Sequence, residues 1–147
     1  TDISAGMGSE GIAVARPVDG AYSKLERLGP AINVGTGNMY PYIAPDESYL
    51  VFARRGAQPA SSSLLVSFRN PDSTWGEPRA IDLGMPAGTP SVSPDGRYLF
   101  FSAGERQKGD IYWVSASVLR PSRAADFAAP RPRRAAASSP EGTPAPL

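Results

Sequence analysis

The side chains with catalytic potential in this sequence are its carboxylates and hydroxyls, because it contains no histidine and no cysteine. Two carboxylates about 5 to 10 Å apart would suit glycoside hydrolysis. Asp46 and Asp95, however, each follow a proline and are most simply turn residues. A serine nucleophile requires a base, and the sequence has neither an imidazole nor a G-x-S-x-G segment. We therefore predict no catalytic residues, no metal site and no cofactor.

A glycine-rich stretch near the start resembles a nucleotide-binding loop only in its spacing. GMGSEG, residues 6–11, matches the pattern G-x-G-x-x-G. That motif binds a dinucleotide when a strand precedes it and a helix follows it. Here only TDISA precedes it, and the following IAVAR has the pattern of a strand. We interpret this stretch as a loop that leads into a strand.

Two longer segments of the chain are near copies of each other. YIAPDESYLVFARR, residues 42–55, aligns without a gap on SVSPDGRYLFFSAG, residues 91–104, at a spacing of 49 residues. A fixed spacing of this size is typical of repeat architectures. In each copy Pro-Asp is followed by Glu47 or Gly96 between two apolar stretches, which predicts a hairpin turn. Gly96 suits a positive φ, whereas Glu47 predicts a looser or slightly strained turn.

The stretches around each turn predict a sheet of four antiparallel strands as the repeating unit. The strand after the turn, SYLVFA or RYLFFS, is apolar at successive positions, which indicates that both of its faces are covered. Third strands follow at residues 64–68 and 111–115, and a fourth in STWGEPRAIDLG, where Pro78 confines the strand to a sheet edge. Four-stranded sheets that recur about every 40 to 50 residues are typical of β-propeller blades. An aligned β-sandwich is the alternative. We expect these aromatic side chains in the core: Tyr49, Phe52, Tyr98, Phe100, Phe101 and Trp113.

The repeat also resembles a known family. NMYPYIAPDESYLVFARR, STWGEPRAIDLG and SPDGRYLFFSAGERQKGDIYWVSA are similar to the TolB-type, WD-repeat-like propeller repeat of bacterial proteins, over about residues 10 to 117. The first copy departs from that pattern at Glu47 and at Ser63. The resemblance implies a periplasmic or otherwise exported protein that docks other envelope proteins through a face or rim of the propeller. The chain itself shows no signal peptide.

These patterns predict an all-β fold with about two and a quarter blades and a disordered C-terminal tail. Residues 1–10 are a disordered or loop start, 11–29 the third and fourth strands of a preceding blade, and 38–84 one complete blade. Residues 88–117 are the first three strands of a further blade, and 118–147 an Ala/Pro/Arg-rich tail. Because propellers close with at least about four blades, we expect the C-terminal segment of a longer propeller. Several copies that close one ring are the alternative.

The connections between blades, residues 33–39 and 84–89, share one predicted face with the loops at 54–63 and 103–110. Loops on a rigid scaffold commonly carry recognition. The candidate binding residues on that face are Asn38, Arg54, Arg55, Arg106, Lys108 and Asp110.

The function predicted from the sequence is that of a non-catalytic scaffold with a protein partner. The tail carries five arginines against two carboxylates, which leaves a body of net negative charge. We therefore predict no nucleic-acid partner. We also predict no membrane span, because no run of about 20 apolar residues occurs, and self-association through open sheet edges. A propeller glycosidase or lyase, or the accessory domain of a serine peptidase, is the alternative.

Overall fold

The chain is all-β in the residues that the computed structural model describes, which are 11–57, 61–104, 109–120 and 132–135. The strands are β1 (Ala13–Val14), β2 (Pro17–Val18), β3 (Ala21–Tyr22), β4 (Glu26–Arg27), β5 (Asn38–Ile43), β6 (Tyr49–Arg55), β7 (Ser62–Phe68), β8 (Arg79–Ala80), β9 (Gly88–Val92), β10 (Tyr98–Ala103), β11 (Asp110–Ser115) and β12 (Arg133–Arg134). A 3₁₀ helix at Ala116–Leu119 follows β11. The G-x-G-x-x-G stretch lies outside the described residues except for Gly11.

The strands form four antiparallel sheets. The central sheet has the order β5-β6-β7-β8, and the C-terminal sheet has the order β9-β10-β11-β12. The N-terminal sheet is the pair β1-β4, and β2 and β3 form a separate two-stranded sheet at the far end of the same hairpin. Asp19 and Gly20 close that hairpin with φ of 48° and 81°, as a two-residue type I′ turn requires.

The Pro-Asp turns have one common geometry. The Glu47 N–H donates to the Ala44 carbonyl and the Gly96 N–H donates to the Ser93 carbonyl, both at 2.8 Å. Glu47 adopts a φ of 55° and Gly96 a φ of 69°. The left-handed region is strained for any residue with a Cβ, so the prediction of strain at Glu47 is confirmed. A third turn of this kind occurs at NPDST, where Ser73 has a φ of 67°.

The two long sheets repeat each other in register. Leu50 pairs with Ile43 in the central sheet, and Leu99 pairs with Val92 in the C-terminal sheet, at the spacing of 49 residues found in the sequence. Both sheets also carry a bulge at the same place, after Met39 and after Gly88. The residue at the bulge is left-handed in both copies, with φ of 53° at Tyr40 and 42° at Thr89.

The outer strands repeat three times. Leu65 of β7 pairs with Ala80 of β8, Ala13 of β1 with Arg27 of β4, and Tyr112 of β11 with Arg134 of β12. In each sheet the next hydrogen bond is also the same, with a length of 2.8 to 3.0 Å. The Leu28 N–H donates to the Ile12 carbonyl, the Ile81 N–H to the Leu64 carbonyl, and the Ala135 N–H to the Ile111 carbonyl. The division of the chain into partial blades remains a prediction, but the sheets share one pairing scheme.

The core lies on both sides of the central sheet. Along β6, Leu50 and Phe52 pack in one cluster with Ile12, which immediately precedes β1 of the N-terminal sheet. Val51 and Ala53 point to the other face and pack in a second cluster with residues of the C-terminal sheet. Since side chains alternate between the faces of a strand, the continuous apolar run of β6 fits a sheet that is covered twice. The prediction of two covered faces is confirmed for this strand.

The C-terminal sheet differs, because the described residues cover only one of its faces. Leu99 and Phe101 of β10 are buried against the central sheet, with exposures of 0% and 1%. Tyr98, Phe100 and Trp113 belong to neither core cluster and lie half-buried on the opposite face. Their prediction as core residues is wrong in the described structure, because no further sheet packs against that face.

The predicted disordered tail contains two ordered pieces. Residues 118–120 complete the 3₁₀ turn after β11, and Leu119 is buried in the second core cluster. Residues 132–135 include β12, which pairs antiparallel with β11 at the edge of the C-terminal sheet. Disorder is therefore the wrong prediction for these residues, since backbone pairing and two side-chain contacts of β12 supply interactions that composition does not reveal. The rest of the predicted tail lies outside the described residues.

Candidate functional site

A cleft of about 370 Å³ opens between the central and C-terminal sheets, at the end of the sheets opposite the Pro-Asp turns at residues 45–47 and 94–96. Its walls come from the start of β5 and β9, the end of β6 and β10, and the residues that lead into β7 and β11. We call it the loop-end cleft. It is lined by Met39, Tyr40, Ala53, Arg55, Ser61, Ser62, Pro86, Gly88, Thr89, Ser102, Ala103, Gly104 and Gly109.

Comparison of the two repeats explains why the cleft exists. Asn38 and Arg54 of the first repeat correspond to Ala87 and Ala103 of the second, at the spacing of 49 residues. The first pair fills its space with polar side chains, whereas the second pair leaves only methyl groups. Ala103 lines the loop-end cleft and faces Ala53 of the central sheet. Small side chains at these positions are therefore what opens the space.

Asn38 and Arg54, which we predicted as binding residues, form hydrogen bonds that join two segments of the chain. The Arg54 Nε donates to the Asn38 Oδ1 at 2.7 Å, and the Arg54 Nη2 donates to the Ile32 carbonyl at 3.1 Å. Asn38 is 1% exposed, and its Nδ2 donates to the Val34 carbonyl at 3.1 Å. These bonds attach the connection between the N-terminal and central sheets to the start of β5 and the end of β6.

The other nominated residues have different positions. Arg55 lines the loop-end cleft and is exposed. Asp110 begins β11 and forms an ion pair with Arg134, with an Nη2 to Oδ1 distance of 2.8 Å, and this carboxylate raises the pKa of Arg134. Arg106 and Lys108 lie outside the described residues. Of the six candidates, the structure thus brings one to the cleft.

The cleft carries hydroxyl groups that sequence reasoning did not nominate. The Thr89 Oγ1 donates to the Ser102 Oγ at 2.5 Å across the β9 and β10 pair. The Ser62 Oγ donates to the Ala87 carbonyl at 2.8 Å. Tyr40 is 54% exposed beside them. The sequence gives no signal for these hydroxyls. The residue before a proline favours an extended conformation, whereas Tyr40 and Thr89 have positive φ at the bulge.

The chemistry of the cleft suits binding. Its described lining offers one cation, several hydroxyls, apolar walls and no carboxylate. A serine hydroxyl becomes a nucleophile only beside a base, and the described lining supplies none. Arginine and hydroxyl groups donate hydrogen bonds to carboxylates and to peptide carbonyls. The described lining can therefore donate hydrogen bonds to carboxylate or carbonyl groups.

The carboxylates on the Pro-Asp turns are committed to those turns. The Asp46 Oδ1 accepts from the Ser48 hydroxyl at 2.6 Å and from its N–H at 3.1 Å, which lowers the pKa of Asp46. Hydrogen bonds from Thr74 lower the pKa of Asp72, and bonds from Ser93 and Arg97 lower that of Asp95. A general acid in glycoside hydrolysis needs a raised pKa. These three groups are shifted in the opposite direction.

Among the described residues, no group of three or more His, Cys, Asp or Glu side chains is placed to hold a metal ion. No helix in that part of the chain is long and apolar enough to cross a membrane.

Comparison with known proteins adds no relative. Neither a protein-family model, nor a curated protein, nor a solved structure matches the chain.

Proposed function

We propose that the N-terminal, central and C-terminal sheets are consecutive blades of a β-propeller, and that this part of the protein is a non-catalytic scaffold for a protein partner. The observation that carries the proposal is that residues flanking the N-terminal sheet and residues of the C-terminal sheet pack on opposite faces of the central sheet. The outer strands of all three sheets also share one register. Every propeller blade is packed between two blades of the same construction. In a two-layer sandwich each sheet covers only one face of the other.

The way the sheets touch supports a fan-like arrangement. β9, the innermost strand of the C-terminal sheet, contacts β5, β6 and β7 of the central sheet. Farther out, the 3₁₀ helix at Ala116–Leu119 fills the space between the sheets, with Ala116 and Leu119 buried in the core. The Arg79 Nη2 of β8 donates to the Val118 carbonyl at 2.9 Å and to the Arg120 carbonyl. Blades that diverge outward require such a filler at the rim.

The absence of cysteine makes this geometry accessible to paired spin labels. One pair takes equivalent outer positions of neighbouring sheets, Lys24→Cys and Glu77→Cys. The other takes equivalent inner positions, Tyr40→Cys and Thr89→Cys. Blades that radiate from an axis place the outer pair clearly farther apart than the inner pair. Equal separations near the value of about 10 Å for stacked sheets would indicate a sandwich and end the propeller proposal.

The scaffold part of the proposal rests on the loop-end cleft. The cleft combines the Arg55 cation with the hydroxyls of Ser62, Thr89 and Ser102 on rigid strand ends. Rigid strand ends that carry variable loops are a common platform for recognition. The TolB-type resemblance adds envelope proteins as the class of partner and an exported, periplasmic location to the same proposal.

Peptide display on the folded chain tests this function. We expect selected peptides to contain an acidic residue or a free carboxylate, and to lose about tenfold or more in affinity for the variants Arg55→Ala and Tyr40→Ala, as is usual at the centre of an interface. Arg97→Ala is the matched control, because it removes an exposed arginine at the other end of β10. Equal losses for Arg97→Ala, or no selected peptides, would contradict binding at the cleft. Hydrolysis of a glycoside or peptide substrate by the chain would favour the enzymatic alternative.

A further inference from the structure

The outer edge of β11 holds a strand that comes from a distant part of the chain. Trp113 pairs with Arg133 and Tyr112 with Arg134, and the Ala135 N–H donates to the Ile111 carbonyl at 2.8 Å. These are the pairings that β8 makes with β7 in the central sheet. β12 therefore occupies the fourth-strand position of the C-terminal sheet in the repeating register. We call this edge of β11 the fourth-strand slot.

The slot differs from its counterparts in how its strand arrives. β8 follows β7 through a short hairpin, in which Arg69 bridges to Trp75, and β4 follows β1 through the hairpin closed by Asp19 and Gly20. β12 is separated from the 3₁₀ helix by residues 120–132. In the described part of the chain, the contacts of residues 132–135 with β11 define this register.

Two side-chain contacts contribute to this register. Arg133 lies over the Trp113 ring, with 5.7 Å from its Cζ to the ring centroid. Arg134 pairs with Asp110 at 2.8 Å. Because successive side chains point to opposite faces of a strand, the slot recognises an extended Arg-Arg dipeptide on two sides at once. An aromatic face meets the first arginine and a carboxylate meets the second.

We propose that the fourth-strand slot is an exchangeable docking site for this arginine-bearing strand, and that a second copy of the chain supplies residues 132–135 in place of the resident segment. Among the described residues, the contacts that hold β12 join residues 132–135 to β11, and such contacts can form within one chain or between two. The resident segment competes through its effective concentration at the slot. A connection as short as these 13 residues sets that concentration at about the millimolar range. At high protein concentration two copies therefore exchange these strands.

The test uses a labelled peptide of residues 130–137, PRPRRAAA, and full-length chains. The variant chain Arg133→Ala/Arg134→Ala removes the resident contacts, so we expect it to bind the peptide at least about tenfold more tightly than the wild-type chain, whose slot is already filled. The matched control peptide has alanine at positions 133 and 134 and keeps Arg131. It should not bind. Adding Asp110→Asn to the variant chain should weaken binding of the arginine peptide several-fold.

A second measurement on the wild-type chain guards against a variant that does not fold. Sedimentation should show a concentration-dependent dimer, which excess arginine peptide dissociates and the alanine peptide does not. The proposal is overturned if the alanine peptide binds the variant as well as the arginine peptide does. It is also overturned if wild-type and folded variant chains bind the arginine peptide equally, or if the wild-type dimer resists that peptide.

Discussion

Two adjacent phenylalanines on β10 allow the stacking of the sheets to be measured. Phe101 is 1% exposed and packs between the central and C-terminal sheets. Phe100 points to the opposite face of the same sheet, which the described residues leave open, and is half-buried. The substitutions Phe101→Ala and Phe100→Ala therefore remove the same group from neighbouring positions of one strand. Only one of them creates a cavity in the core.

The expected costs differ several-fold. Truncation of a fully buried phenylalanine lowers the free energy of unfolding by about 3 to 5 kcal/mol, because transfer and cavity terms add. Full burial of such a side chain is worth only about 1.5 to 3 kcal/mol by transfer, so Phe100→Ala on the half-covered face should cost about 1 kcal/mol. With total stabilities of about 5 to 15 kcal/mol typical of single domains, Phe101→Ala brings the protein close to the limit of folding.

Urea unfolding followed by far-ultraviolet circular dichroism provides the assay, since fluorescence would also report the change beside Trp113. With a slope of about 2 kcal/mol per molar urea, the midpoint should fall by about 2 M for Phe101→Ala and by about 0.5 M for Phe100→Ala. The control is protein concentration. Equal losses in dilute solution would refute the assignment of one covered and one open face. A cost of Phe100→Ala that grows with concentration would instead indicate that another molecule covers that face.

Three further predictions follow from the turns and the rim. Ser73→Gly should raise the free energy of unfolding by about 0.5 to 1 kcal/mol, because relief of the left-handed strain exceeds the cost of the added chain entropy. Gly96→Ala should lower the free energy of unfolding by about 1 kcal/mol. Opposite signs of these two changes in urea titrations would contradict the turn geometry. The pKa values of Asp72 and Asp95 are depressed in the folded chain, so these carboxylates stabilise it above the unfolded pKa of 3.8 and lose that effect as pH falls through the folded pKa values. In the acidic range, Asp72→Asn should therefore make the free energy of unfolding depend less steeply on pH. An unchanged pH dependence would count against these hydrogen bonds. Arg79→Ala should lower the free energy of unfolding by about 1.5 to 3 kcal/mol, because it removes charge-assisted bonds to two carbonyls; a Tm equal to that of the wild type would show that the rim contact contributes nothing.

The repeat and its turns could be read from the sequence because both are local. A proline fixes one dihedral angle, and an aspartate accepts hydrogen bonds from residues two positions away. The continuous apolar run around Phe52 required a sheet covered on both faces. The same reasoning failed for Tyr98, Phe100 and Trp113. An apolar pattern indicates that a face of a strand is suited to burial, but it does not show which other segment packs against that face.

The candidate site was less accessible from the sequence. The loops of the predicted face line the loop-end cleft. Loop position and polarity selected Asn38, Arg54 and Asp110, whose side chains form hydrogen bonds and an ion pair within the fold. The loop-end cleft is lined in part by Ala103, whose small side chain leaves space that a larger residue would occupy. Such a space exists only relative to the neighbouring sheet, and no local pattern encodes it.

The sequence by itself determined the antiparallel repeat, the position of each Pro-Asp turn and the faces of the central strands, because these depend on dihedral preferences and on the alternation of side chains along a strand. The tertiary structure alone decided that residues 132–135 complete the C-terminal sheet. That pairing joins segments far apart in the chain, and it is selected by the open edge of β11, the Trp113 ring and the Asp110 carboxylate, whose positions are set only when the sheets have packed.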